Sequence, residues 1–66
     1  MNRLKAERTI AQIRQADFAK KIGVNTRTVY RWEKGITPIP NKRLCLLADF
    51  FGCTTDWLLG RSESRK

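Results

Sequence analysis

The sequence predicts an all-α fold of five short helices. Three observations predict it. Strict apolar–polar alternation and long β-branched runs are absent, so strands have no pattern to grow from. Apolar residues recur instead at helical spacing, most regularly as Leu44, Leu47, Ala48 and Phe51 at i, i+3, i+4 and i+7. Glycines at 23, 35, 52 and 60 each follow a periodic segment, where a left-handed residue ends a helix at little cost.

The first helix spans about Asn2 to Ala11, with Asn2 as its cap and Leu4, Ala6 and Ile10 as its inner face. Ile13 precedes the second helix and is placed to staple against Phe18. That helix starts at Gln15, with Arg14 at the cap. Arginine offers no acceptor to the free N–H groups, and its charge opposes the positive end of the helix dipole. Asp17 offsets this in part. Arg14 is either a tolerated surface residue or a sign that an anion docks at this helix start. Phe18, Ala19 and Ile22 form the inner face, and Gly23 stops the helix. Asn25 caps the third helix, about Thr26 to Lys34, and Val24 and Val29 bracket the cap as a hydrophobic staple. Val29 and Trp32 face inward; Thr26, Arg27, Tyr30 and Arg31 face outward.

Ala19 supplies the small side chain two steeply crossing helices need, and Gly23 the glycine their short turn needs. A loop, ITPIP, holds both prolines. The fourth helix covers about Asn41 to Phe51, with Lys42 and Arg43 in its first turn, again cations at the positive end of a dipole. Thr54 caps a last helix with Asp56 in its first turn. Trp57, Leu58 and Leu59 exceed what the inner face of so short a helix needs. Either all three enter one core, or some form an apolar patch suited to self-association. Residues 1–60 form one domain, and 61–66 read as a flexible basic tail or the start of a linker.

Fourteen Lys and Arg oppose six Asp and Glu, a formal charge of +8, which would attract nucleic acid, an anionic membrane surface or an acidic protein. No apolar run approaches the ~20 residues of a membrane span, and the first residues lack the apolar centre of a signal peptide. These features place the protein in a cytoplasm, on the nucleoid. Without histidine or a CxxC pair, a zinc site of the usual kind cannot be built. Cys45 and Cys53 read as small buried hydrophobes rather than a disulfide. With no histidine, clustered carboxylate pair or glycine-rich phosphate loop, an enzyme is not expected, and no cofactor is implied.

FAKKIGVNTRTVYRWEKG, Phe18 to Gly35, and DWLLG, Asp56 to Gly60, carry a resemblance. With Gln15 opening the second helix, they are similar to the Cro/repressor-type helix-turn-helix proteins, the xenobiotic-response-element-like transcriptional regulators of bacteria and their phages. The likeness runs from about Leu4 to Gly60. It implies a compact five-helix bundle of the lambda-repressor-like DNA-binding type, with the helix-turn-helix at about 15–34 and the third helix in the major groove of a double-stranded DNA operator. Thr26, Arg27 and Arg31 fall where such proteins touch base edges, with Thr28 and Tyr30 nearby. Gln15 falls where a glutamine contacts a phosphate and braces the start of the recognition helix. Lys34, Lys42 and Arg43 fall where the backbone is met, and Arg14 joins them as a phosphate contact. Tyr30 can stack on the sugar-phosphate edge or pack on its own helix. Three positions depart from the family pattern: Arg14 replaces Ser or Thr, Glu7 replaces an often-found Leu, and Pro38 and Pro40 replace a single proline.

A single recognition helix reads only a few base pairs, so specificity calls for a homodimer on two half-sites about 34 Å apart. Trp57, Leu58 and Leu59 are the expected dimer surface. The expected function is repression of a promoter with a palindromic operator. The alternative is an antitoxin or co-regulator that uses the same fold to hold a partner protein.

Overall fold

The computed structural model describes residues 2–66, which form α1 (Leu4–Ile10), α2 (Gln15–Ile22), α3 (Thr26–Lys34), α4 (Asn41–Phe51) and α5 (Thr55–Leu59). Leu4, Phe18, Val29, Leu47 and Leu58 are fully buried where the helices converge, with Ala19, Trp32 and Leu44 completing the core. Ile13, Ile22, Val24, Ile39, Phe51 and Leu59 seal its edges. Phe18 stacks on Phe51 with centroids 5.5 Å apart and meets the edge of Phe50 at 5.6 Å, joining α2 to α4.

The α2–α3 turn follows from its residues. Gly23 sits at φ 74°, which lets the Val24 N–H reach back to the Ala19 carbonyl (2.9 Å) and the Gly23 N–H to that of Lys20 (3.3 Å). This paired closure satisfies carbonyls that the end of α2 would leave free. Asn25 then starts α3, its Oδ1 accepting from the Arg27 N–H at 2.7 Å. Thr54 starts α5 in the same way, its Oγ1 accepting from the Trp57 N–H at 3.0 Å.

Several expectations are corrected. The inner face of α1 is Leu4 and Glu7, not Leu4, Ala6 and Ile10; Ile10 is 76% exposed and Ala6 is also outside. At ~100° per residue, Glu7 lies about 60° around the helix from Leu4, whereas Ala6 and Ile10 lie well over 90° away. Asn2 does hold the start of α1, its Oδ1 accepting from the Leu4 N–H (3.0 Å), although the residue at the cap is Arg3. Cys45 is exposed, because it lies one residue, about 100°, beyond the inward Leu44. Cys53 is half-buried against the core, and burial pushes its thiol up.

Leu58 is fully buried in the chain's own core, so it offers no surface to a partner; Trp57 and Leu59 are half-buried beside it. In the segment from Arg61 to Lys66, read as a flexible basic tail or the start of a linker, the Arg65 carbonyl accepts from the Thr54 N–H at 3.0 Å, and the Arg65 side chain reaches the body of the bundle.

Candidate nucleic-acid interface

One side of α3 is buried through Val29, Trp32 and Glu33. The opposite side exposes Thr26, Arg27, Tyr30, Arg31 and Lys34, and Thr28 sits half-buried at the border. Among the described residues no carboxylate pairs with Arg27, Arg31 or Lys34. The first turn of α3 has no acidic residue either. Its guanidinium groups are therefore free for an anion or a base edge. The Lys34 ammonium lies 5.8 Å from the Tyr30 ring centroid, one turn away, a cation–π contact that draws the Tyr30 ring along its own helix.

The starts of α2 and α4 flank this surface in sequence. Arg14 is exposed at the α2 cap in extended conformation (ψ 152°), and its side chain caps nothing. Pro40 occupies the same place on α4, which also lacks a side-chain cap and carries Lys42 and Arg43 without an acidic residue in the first turn. Both helix starts thus combine unsatisfied backbone N–H groups with cations, the electrostatics of an anion site. By contrast, α5 has a Thr cap; its first-turn Asp56 has a counterpart in Asp17 of α2 but none in α4.

The phosphate candidates differ in their freedom. Lys42 is exposed. Arg43 is half-buried and donates from Nη1 to the Ile22 carbonyl at 2.9 Å, so one edge of its guanidinium satisfies the end of α2 and the other remains free. Gln15 donates from Nε2 to Glu33 Oε1 at 2.9 Å. The second N–H of that amide remains for a phosphate oxygen.

Glu33 is the centre of a network that sequence reasoning missed. Its side chain is only 3% exposed, yet it accepts from Arg8 Nε (2.6 Å), Arg8 Nη2 (3.2 Å) and Gln15 Nε2. Arg8 also donates to the Ile13 carbonyl at 2.8 Å. A carboxylate in α3 thus fixes α1, the α1–α2 connection and the first residue of α2 at once. Lys5, Tyr30 and Lys34 complete the walls of a shallow groove over this network. One signal for it was available: Glu33 adjoins Trp32 on the inward face of α3, and a carboxylate there requires a cation.

A family model described as Helix-turn-helix matches residues 4–58. The chain belongs to this family, of the Cro/C1 type, and is a DNA-binding transcriptional regulator. No curated protein and no solved structure matched the chain. Among the described residues no helix is long and apolar enough to cross a membrane.

Proposed function

We propose that the protein is a cytoplasmic, nucleoid-associated repressor that binds a palindromic operator as a homodimer, with α3 of each copy in the major groove. The observation that carries this reading is the exposed face of α3, where Arg27 and Arg31 pair with no carboxylate among the described residues while the opposite face is locked into the core. Each arginine can form a bidentate contact with guanine O6 and N7. Thr26 and Thr28 serve the thymine methyl or an adjacent phosphate, and Tyr30 lies against the sugar-phosphate edge. Arg14, Lys34, Lys42 and Arg43 neutralise phosphates and, with a hydrogen bond from Gln15, set the register of α3. Repression follows when the bound dimer excludes polymerase from a promoter.

The dimer contact is assigned to the end of α5. There Trp57 and Leu59 keep part of their surface, and Leu59 borders the loop from Gly35 to Asn41, where Ile36 is exposed. Leu58 supports this end from within. The test is selection of bound sequences from a random DNA pool at ~150 mM salt, which suppresses purely electrostatic binding. A palindrome with half-sites about one turn apart and guanines in each half supports the reading. Binding that yields no motif and collapses on adding salt refutes it.

A second reading, a co-regulator or antitoxin that holds a partner protein, rests on Leu46 and Phe50. They lie one turn apart on α4 and are about half exposed, 55% and 45%. Copurification of a stoichiometric partner that protects this face from labelling at the neighbouring Cys45 would favour it.

A further inference from the structure

Glu7 is the second carboxylate the bundle buries, only 4% exposed, and it has no part in the DNA-facing surface. Its Oε2 accepts from the Trp57 indole N–H (2.8 Å) and from Arg65 Nε (3.0 Å), and its Oε1 accepts from Arg65 Nη2 (2.8 Å). Arg65 therefore grips the carboxylate through two parallel bonds, the arrangement that favours arginine over lysine. The same guanidinium donates to the carbonyls of Phe51 (2.6 Å) and Gly52 (3.2 Å), at the negative end of the α4 dipole. This is the far end of α4 from Lys42 and Arg43.

A second arginine holds the strand that leads there. Arg3 donates from Nη1 to the carbonyls of Trp57 (2.6 Å) and Ser62 (2.9 Å), and its guanidinium carbon lies 3.7 Å from the centroid of the Trp57 ring. The Arg3 N–H also donates to the Leu58 carbonyl at 2.8 Å. The first and last parts of the chain are thereby sewn together across Trp57.

We propose that Glu7, held in place by the Trp57 indole N–H, and the Phe51 and Gly52 carbonyls form a guanidinium-binding site, and that Arg65 occupies it to strap the segment from Arg61 to Lys66 onto the bundle. The strap compensates a charge that α1 buries. When Arg65 withdraws, the Glu7 carboxylate is left inside with only the indole N–H, a costly arrangement that loosens α1 against α5. The stability of the DNA-binding bundle is then set from its C-terminal segment, through a contact that includes no residue assigned to DNA.

The groups that face Glu7 are Arg65, Arg3, the Trp57 indole and the Cys53 thiol. The bonds from Arg65 hold the Glu7 carboxyl below its ordinary value of 4.5, against the opposing pull of burial. Thermal and acid unfolding of the full chain, followed by tryptophan fluorescence, test the proposal in four proteins: wild type, Arg65→Ala, Glu7→Leu and the double variant. Arg65→Ala lowers the melting temperature by several degrees and moves the acid-unfolding midpoint to higher pH. In the Glu7→Leu background, with no buried charge to compensate, Arg65→Ala loses only the bonds to the Phe51 and Gly52 carbonyls, so the melting temperature falls by clearly less and the acid midpoint stays put. Arg65→Lys, which keeps the charge but loses the fork, falls between wild type and Arg65→Ala and remains measurable if Arg65→Ala does not fold. Equal losses from Arg65→Ala in both backgrounds, or an unchanged melting temperature and acid midpoint in the wild-type background, overturn it.

Discussion

Removing Arg8 isolates the charge on Glu33. The Arg8 side chain is 12% exposed and that of Glu33 3%, and they meet through two hydrogen bonds. In Arg8→Ala the carboxylate stays inside with Gln15 as its remaining partner, because Glu33 is held there by Trp32 and Val29 on the same helix face. Breaking a buried pair by removing one member costs about 3–5 kcal/mol. At roughly 0.05–0.15 kcal/mol per residue, a 66-residue domain has about 3–10 kcal/mol in total. Arg8→Ala is therefore expected to remove a third or more of the stability and can unfold the protein at 25 °C. Arg8→Met with Glu33→Leu, which removes both charges and keeps apolar volume, should return stability to within about 1–2 kcal/mol of the native chain, since apolar replacement of a buried pair is often neutral or favourable. Urea unfolding monitored by tryptophan fluorescence measures both. A loss below about 1 kcal/mol for Arg8→Ala, the scale of an exposed ion pair, would refute the claim that this network is buried and essential to α1.

Further perturbations address the surface. Arg27→Ala and Arg31→Ala should each remove about 1–3 kcal/mol of discrimination at one base pair, with unchanged urea midpoints; selected DNA pools identical to the native one would show these side chains do not read bases. Arg14→Ser should stabilise the free protein by about 0.5–1 kcal/mol as a proper cap while making the salt dependence of operator affinity shallower by about one counterion; an unchanged slope would remove Arg14 from the phosphate contacts. Glu7 gives a pH signature. Its carboxyl is lowered in the folded state, so the stability it contributes is full above 4.5 and is lost as pH falls through the lowered value. The urea midpoint should be insensitive to Glu7 protonation at neutral pH and decline below that value, and Glu7→Gln should flatten the decline.

All five helices were legible because their signals are local. Asn25 and Thr54 accept from N–H groups two and three residues on, and Gly23 takes its left-handed turn with bonds to residues just behind it. The exposed set on α3 was legible for a related reason. Once Val29 and Trp32 are inside, helical geometry places Thr26, Arg27, Tyr30 and Arg31 outside. What escaped was the inner face of α1 and the contacts of the C-terminal segment. Glu7 belongs inside only because Trp57 and Arg65 reach it from 50 and 58 residues away. No window of sequence contains that information, and hydrophobic period assigned the inside to Ile10. The α5 helix shows the same limit on a smaller scale. Three large apolar residues in five leave the choice of the innermost one to the neighbours, and those neighbours select Leu58.

The attachment of α1 follows from these facts. Leu4 is the only apolar side chain that α1 buries. A single Leu contributes about 1.5–3 kcal/mol on burial, little against the entropy of ordering seven helical residues. The helix is held instead by consecutive residues that point to different networks. Glu7 reaches Trp57 and the C-terminal segment, while Arg8 reaches Glu33 and, through it, Gln15 at the start of α2. Polar bonds weaken abruptly when one partner is lost, whereas apolar packing degrades in proportion to area. It follows that α1 is the element most exposed to all-or-none release, and that Gln15, whose side chain is braced among the described residues through Glu33, is the proposed phosphate contact that would register it. Amide exchange resolves this: in Arg8→Lys, α1 amides should lose protection before those of α3 and α4, whose faces are closed by Val29, Trp32, Leu44 and Leu47. Simultaneous loss of protection in all helices would instead make α1 part of one cooperative unit with α3.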